Sequence, residues 1–403
     1  MEAAGAELFF CPSPELYAVV TPSAVELGQF RALPAVQLEG ELARGLGEDV
    51  RAGRLSSANA ARLRSLGAAL GADLDAVLGA LAAGALRPAT AADLVRRGGW
   101  GVLWIELVAS CGLACAHCYA EAGAGREDRL DLVTILDLLE DAAALGFRKV
   151  QLTGGDPLLS PHLLPAVDAA RGWGLTVEIF TNGLLLAPPL LAALGARAVR
   201  FAFSLYGDEP AVHDAITGVA GSFERTVDAI RRTRAEGLGL RVAVAAMRQN
   251  APRIPATLRL ARELTGDAGA VEVDVVRGVG RGRFDAGVVL PAEACEGGSR
   301  DRDPERSRRK EGGRACVAAS GDVFPCIFMR WVTLGRVGRD GRLREILAAP
   351  RVSPGWVLAP EAELAAAAAE RLTCSDCQRA ARLLALYARS APAPPCAPAA
   401  AAT

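Results

Sequence analysis

From Gly101 to about Val276, short apolar runs alternate with amphipathic segments. The runs Val102–Val108, Lys149–Thr153, Thr176–Phe180, Ala198–Leu205, Arg241–Met247 and Val271–Val276 read as strands. Their near-continuous apolar character suits parallel strands buried on both faces. Between them the helical period returns. Leu132, Leu136, Leu139 and Ala143 share one face of the first helix, and Phe223, Val227 and Ile230 share a face of a later one, with Ser222 as its N-cap. Pro252 and Pro255 stand near the start of the fifth, where proline is tolerated. Six such β–α repeats predict an α/β fold, a partial (β/α)6 barrel smaller than the eight-stranded TIM form.

Residues 1–97 form a separate block. Leu16–Val20 reads as a short strand ended by Pro22. From Ser56 to Gly99 the pattern is helical, with Leu63, Leu66, Leu70, Leu74 and Leu78 on one stripe, and Pro88 and Gly98-Gly99 punctuate its end. A mainly helical N-terminal domain (1–97) is therefore expected ahead of the barrel (98–290). The charged run Arg300–Glu311 marks a solvated linker (291–311). A second cysteine-rich region occupies 312–388, and the Ala/Pro tail, 389–403, reads as disordered.

A chain of 403 residues implies two or three domains, and a formal net charge of −1 gives no electrostatic case for nucleic acid or an anionic membrane. Only Lys149 and Lys310 are lysines. The start, Met1-Glu2, lacks the basic residues of a secretion signal, and the apolar stretch Leu66–Leu86 carries Asp73 and Asp75, so no membrane span is expected. Ten cysteines without an export signal point to a reducing, cytoplasmic setting and to metal or redox chemistry.

The chemistry concentrates in Ser110-Cys-Gly-Leu-Ala-Cys-Ala-His-Cys-Tyr119. Cys111, Cys115 and Cys118 supply three thiolates from one loop. A cubane of four irons and four sulfurs held by three thiolates keeps one iron open, as a catalytic centre requires. A zinc site is the alternative, although zinc sites usually present C-x2-C pairs totalling four ligands.

The C-x3-C-x2-C spacing after a first barrel strand resembles the signature of the radical S-adenosylmethionine (radical SAM) superfamily. The resemblance implies a catalytic 4Fe-4S cluster on Cys111, Cys115 and Cys118, with S-adenosyl-L-methionine on the open iron. Gly154-Gly155-Asp156-Pro157 resembles the family's Gly-Gly-Glu element, with Asp for Glu, which implies contact with the methionine amine. Thr181-Asn182-Gly183 and Ser204-Leu-Tyr-Gly207 end the third and fourth strands, and the resemblance gives Asn182 and Ser204 the ribose and carboxylate contacts. Read alone, these are a β–α turn and turn-capping polar groups. His213-Asp-Ala-Ile-Thr-Gly218 and Gly221-Ser-Phe-Glu-Arg-Thr226 are similar to strings in the peptide-modifying and PQQ-synthesis-like branches. Their roles are not readable, and His213 reads as a local hydrogen-bonding residue. Gly280-Arg-Gly-Arg283 is either a further family element or a turn with solvated arginines.

Cys316-x4-Gly321-x4-Cys326 and Cys374-x2-Cys377 offer four more thiolates. They resemble the shortened SPASM, or twitch, domain, whose first pair sits on a hairpin turning at Gly321-Asp322. The resemblance implies one auxiliary 4Fe-4S cluster, and a structural zinc site with the same ligands is the alternative. Cys295 is a further ligand or a replacement for one. Cys396 falls in the tail, and Cys11 reads as a lone thiol.

The expected activity is reductive cleavage of S-adenosylmethionine to a 5′-deoxyadenosyl radical. That radical takes hydrogen from a ribosomally made precursor peptide undergoing crosslinking, epimerisation or oxidation. An electron donor such as ferredoxin or flavodoxin is implied. The rivals are a small-molecule dehydrogenase, a sulfatase-maturase-like enzyme, or a non-catalytic iron–sulfur or zinc protein. The N-terminal block reads equally as a winged-helix leader-peptide module or as a helical lid. No catalytic acid or base is assigned; Tyr206 and Asp274 lie near strand ends.

Overall fold

The computed structural model describes residues 7–11, 16–29, 36–65, 74–90, 92–93, 100–283, 288, 313–330 and 333–348. Cys295, Cys374, Cys377 and Cys396, the expected linker and the expected tail lie outside them. The chain divides into two compact units, Met1–Gly98 with Glu345–Thr403, and Gly99–Arg344.

Among its described residues the N-terminal unit combines an antiparallel sheet with helices rather than being mainly helical. Strands β1 (Glu7–Cys11), β2 (Leu16–Val20), β3 (Ala24–Gln29) and β4 (Val36–Glu39) precede helices α1 (Gly40–Arg51), α2 (Ser57–Ser65) and α3 (Leu74–Ala82), and β5 (Arg87–Pro88) follows. The sheet is antiparallel, in the order β4-β3-β2-β1-β5. Strand β2 falls where the sequence places one, Leu16–Val20, whereas β1, buried at four of its five positions, leaves no alternation to read, and β3 and β4 lie where no strand is expected. Pro22 falls in the β2–β3 turn, where Thr21 Oγ1 donates to Ala24 O and accepts from Ala24 N. Pro88 occupies the edge strand, where its missing N–H costs no ladder bond. Leu16, Val25, Leu46, Val50, Leu63 and Leu81 contribute to one apolar core.

In the second unit, six parallel strands adjoin in the order β11-β10-β9-β8-β7-β6. They are β6 (Trp100–Val108), β7 (Phe147–Gly154), β8 (Thr176–Thr181), β9 (Arg200–Leu205), β10 (Leu240–Ala246) and β11 (Val271–Val275). Helices α4 (Leu132–Leu145), α5 (Leu163–Gly172), α6 (Pro188–Gly195), α7 (Pro210–Thr217), α8 (Ser222–Ala235) and α9 (Ile254–Thr265) connect them. This is an α/β unit on a mainly parallel sheet. Every strand expected in this stretch is present, within two residues at each end.

The two faces of this sheet differ, contrary to the expectation of strands apolar on both. Along β10, Leu240, Val242, Val244 and Ala246 are buried while Arg241, Ala243 and Ala245 are half-buried. The second face carries a polar row. Trp104 Nε1 donates to Gln151 Oε1. Gln151 Nε2 donates to Glu178 Oε2 at 2.7 Å, and Arg241 pairs with Glu178 at 3.1 Å and with Glu272 at 3.0 Å. Burial pushes the Glu178 carboxyl up, but Arg241 and Lys149 outweigh it and hold the group below the usual carboxylate range. A buried charge persists only when paired in this way.

Two helix details also differ from the sequence expectation. The buried face of α4 is Ile135, Leu138, Leu139 and Ala142, whereas Leu136 is 39% exposed. That helix is apolar around most of its circumference, so its period underdetermines its face. Ser222 is not the N-cap of α8: Gly221 holds that position. The first-turn donors are met by Asp214 of α7, which accepts from Gly221 N (2.7 Å) and Phe223 N (2.8 Å).

Beyond β6 the sheet continues with β12 (Gly313–Val317), β13 (Asp322–Phe324) and β14 (Gly335–Arg336). β12 runs parallel to β6, pairing Cys316 with Trp104, and forms an antiparallel hairpin with β13 through Gly321 at φ +87°. The second cysteine region therefore begins as an extension of the central sheet.

Candidate functional site: the carboxyl edge of the parallel sheet

Parallel strands deliver their C-terminal ends to one edge, where open sheets and barrels place their chemistry. Here β6 leads to Cys111, β7 to Gly155 and Asp156, β8 to Asn182, β9 to Tyr206 and β11 to Gly280-Arg281.

The cysteine loop is tied from three directions. It returns on its own strand through Cys111 N to Gly123 O (3.3 Å) and Gly123 N to Ala109 O (3.2 Å). Ala114 N and Ala116 N donate to Thr217 O (2.9 Å) and Ile216 O (3.2 Å) at the end of α7. From β11, Arg281 N donates to Cys118 O at 3.1 Å, while its guanidinium donates to Cys115 O (2.9 Å) and Ala122 O (2.6 Å). Thus His213–Gly218, whose role was unreadable in sequence, caps one helix and receives the loop's amides. Arg281 is half-buried, and its guanidinium is engaged by the loop's carbonyls rather than left to solvent.

The glycine pair after β7 serves this loop. A Cβ on Gly154 would lie 2.2 Å from Val108 O, and one on Gly155 would lie 2.0 Å from Ser110 O. The space a side chain would fill is taken by the backbone at the end of β6 and the start of the cysteine loop. Gly155 N and Asp156 N donate to Val108 O (2.7 Å) and Ser110 O (3.0 Å). The Asp156 side chain accepts from Leu158 N at 3.0 Å and from Thr181 Oγ1 at 3.0 and 3.1 Å. It is 1% exposed, and burial pushes its carboxyl up to about 6. Asp156 thus braces the ends of β7 and β8 from within. Asn182 Nδ2 donates to Cys111 Sγ at 3.7 Å, and its Oδ1 accepts from Leu184 N at 2.9 Å.

On β9, half-buried Ser204 hydrogen-bonds the buried Tyr206 hydroxyl, which burial raises well above its ordinary range. Tyr206 packs edge-on to His117 with ring centroids 4.7 Å apart. His213 Nδ1 accepts from Tyr206 N at 3.3 Å, and burial lowers the imidazole to about 4, which keeps it neutral. It is a local hydrogen-bonding residue. Asp274 instead pairs with Arg277 on the exposed side at 2.8 Å.

Cys111 is buried, and Cys115 and Cys118 are half-buried. Burial pushes the Cys111 thiol up to about 11 and Cys115 to about 12, with Arg281 pulling both back. Cys111 Sγ also accepts from Leu113 N at 3.4 Å. Two N–H donors on one sulfur suit a metal-bound thiolate. Among the described residues, no three His, Cys, Asp or Glu side chains are arranged to hold a single metal ion.

Cys316 is fully buried; burial raises its thiol far above the ordinary range and Cys326 adds to the shift. Between the two cysteine groups lies Tyr119. Its hydroxyl is 3.3 Å from Thr153 Oγ1, its ring meets Phe328 edge-on at 5.7 Å, and Arg330 lies over it at 5.2 Å while ion-pairing with Glu106. Sequence reasoning missed this knot and the role of Arg281. Arg281 stood inside a motif already singled out and Tyr119 beside Cys118, but Glu106 and Arg330 are too far apart in sequence to leave a joint signal.

A parallel α/β sheet with a three-thiol loop on its carboxyl edge defines a class, and residues 105–260 match the Radical SAM superfamily. Among curated relatives, the chain is 34% identical over 217 residues to PqqA peptide cyclase of Gluconobacter oxydans, covering 53% of this chain and 58% of that protein. It is 31% identical over 169 residues to mycofactocin maturase MftC of Mycobacterium tuberculosis, covering 39% and 43%. The chain spans about half the length of the curated relatives it matches. The crystal structure of Streptococcus suis SuiB bound to precursor peptide SuiA shares the fold, with a TM-score of 0.52 at 13% identity over 86% of this chain and 90% of that one. No helix among the described residues is long and apolar enough to cross a membrane.

Proposed function

We propose that this chain is a radical S-adenosylmethionine oxidoreductase that modifies a ribosomally made precursor peptide by crosslinking, epimerisation or side-chain oxidation. The observation that carries the reading is the three-cysteine loop on the edge that also presents Gly154–Asp156, Asn182 and Ser204. PqqA peptide cyclase and mycofactocin maturase, by their names, support a peptide substrate. When bound, the 4Fe-4S cluster supplies one electron that breaks the sulfonium's C5′–S bond, releasing methionine and a 5′-deoxyadenosyl radical that takes hydrogen from the substrate.

The chain's own residues do the holding. Cys111, Cys115 and Cys118 ligate the cluster, and Asn182 and Leu113 N donate to the Cys111 sulfur. Gly154, Gly155, Asp156, Asn182 and Ser204 seat S-adenosylmethionine. Because the Asp156 carboxylate is engaged by Thr181 and Leu158 N, its part is to fix the backbone of that rim. Tyr206 packs against His117 of the cysteine loop and buries the loop's inner side.

The sheet is read as a partial (β/α)6 barrel. Arg281 N reaches Cys118 O at 3.1 Å. Cys118 lies ten residues past β6 and Arg281 six residues past β11, so the contact joins the loops that follow the first and sixth strands, as a closed-up barrel edge would. Cys316 and Cys326, with Cys374 and Cys377, are proposed to carry one auxiliary 4Fe-4S cluster in a twitch-type domain over 312–388. The antiparallel sheet of the first unit suits leader-peptide capture by strand addition, and ferredoxin or flavodoxin is the proposed electron donor. The test is anaerobic reconstitution, iron counting and a 5′-deoxyadenosine assay. A filled, reducible cluster that leaves S-adenosylmethionine intact sinks the reading.

A further inference from the structure

We propose that Gly280-Arg281 is a strap that positions the cysteine loop, with Arg281 as a positioning residue for the catalytic cluster. The part concerning the cluster rests on the radical SAM reading; the strap itself is a property of the polypeptide.

Three bonds converge from one residue. The Arg281 backbone N–H takes Cys118 O at 3.1 Å, Nε takes Cys115 O at 2.9 Å and Nη1 takes Ala122 O at 2.6 Å. The carbonyls belong to two of the three cysteines and to the residue that closes the loop. All three acceptors are backbone carbonyls, so Arg281 fixes the loop's path without using a cysteine sulfur as a partner. Gly280 makes the approach possible. It sits at φ +60°, and a Cβ there would lie 2.4 Å from Cys118 O and 2.5 Å from Tyr119 O. Only glycine fits both the backbone conformation and the gap.

The chemistry selects arginine over lysine. A planar guanidinium presents several N–H groups in a fixed fork and satisfies two carbonyls at once, whereas an ammonium on a flexible stem reaches one at a time. The strap also crosses the whole parallel sheet in chain terms. It joins the loop after its first strand to the turn after its sixth, so one of the loop's three anchors is in place only when β11 is.

The experiment is hydrogen exchange on the full-length apo protein, comparing wild type with Arg281→Ala and Arg281→Lys. Iron release to a chelator is then followed in the anaerobically reconstituted proteins. Amides of 111–123 are expected to exchange about tenfold faster or more in Arg281→Ala, the scale of losing one charge-assisted bond. Arg281→Lys should fall between. Amides of β8 should be unchanged, which shows that the fold persists. Iron release should quicken in the same order, and the electron paramagnetic resonance signal of the reduced cluster should broaden in Arg281→Ala. Unchanged exchange in 111–123 for both variants overturns the proposal. If Arg281→Ala does not fold, Arg281→Lys decides it: wild-type exchange and iron release in that variant overturn the strap. A wild-type protein that binds no iron, with the exchange difference intact, would refute the cluster reading while leaving the strap standing.

Discussion

The two cysteine groups of this chain are held by opposite strategies. Cys111, Cys115 and Cys118 lie within eight residues, yet their loop is ordered by distant partners: Ile216 and Thr217 at the end of α7, and Arg281 beyond β11. Cys316 and Cys326 lie on or just past a hairpin whose order comes from its own ladder and from β6 alongside. The first site is compact in sequence and depends on the completed fold. The second is local in structure, and the other half of its expected ligand set lies far along the chain. The loop proposed to bind and react is thus locked from outside, while the one proposed only to ligate is carried by a strand pair.

The sharpest way to break this comparison is to remove one thiol from each group. Cys115→Ala is expected to abolish 5′-deoxyadenosine formation, read by chromatography of anaerobic reactions. Cys326→Ala should lose roughly half the bound iron, one cluster of two, and still cleave S-adenosylmethionine. Equal loss of cleavage in both variants would erase the distinction between the sites.

Next in size is the packing under the first loop. Gly155→Ala puts a methyl 2.0 Å from Ser110 O. We expect a loss of about 2–4 kcal/mol in chemical denaturation, a scale set by overpacking of backbone against backbone. Gly321→Ala, in the hairpin turn at φ +87° with no contact under 3.4 Å, should cost only about 1 kcal/mol of conformational strain. A larger loss at Gly321 would contradict the contrast.

The α7 anchor carries a pH signature. Burial lowers His213 from 6.5 to about 4 in the folded protein. The unfolded chain therefore binds more protons between those values, and stability falls as pH drops from 6.5 to 4, by on the order of 3 kcal/mol. His213→Gln should flatten that part of the stability curve. Asp156 acts in the opposite sense. Its folded value, about 6, lies above 3.8, so its contribution favours the folded state as pH falls through that window. A curve for His213→Gln that superimposes on wild type would contradict the assignment. The smallest expected effect is at Cys11, buried in the other unit: Cys11→Ala should leave iron content and cleavage unchanged.

How much of this was legible in the sequence follows from the same contrast. The parallel strands were readable because each is a short apolar run bounded by turn residues, and the cysteine loop because its ligands are adjacent. In the first unit β2 was readable as the apolar run Leu16–Val20, whereas β1, buried at four of its five positions, shows no alternation to read. The glycines after β7 were noticed for closeness to a ligand, whereas the observed close neighbour is Ser110 O. Arg281, Glu106 and Arg330 act through contacts more than a hundred residues away, which no local pattern encodes. The polar row from Trp104 to Glu272 was hidden for a related reason: each strand contributes only one or two polar residues, and their meaning emerges when the strands align.

The central claim is that the three-cysteine loop carries a cluster which cleaves S-adenosylmethionine. It is tested most directly by single-turnover cleavage with the anaerobically reconstituted, chemically reduced protein, assayed for 5′-deoxyadenosine beside Cys118→Ala. Formation of 5′-deoxyadenosine by the wild type, with none from the variant, is the predicted result. A wild-type protein with a filled, reduced cluster that forms none, or a variant that matches the wild type, would contradict it.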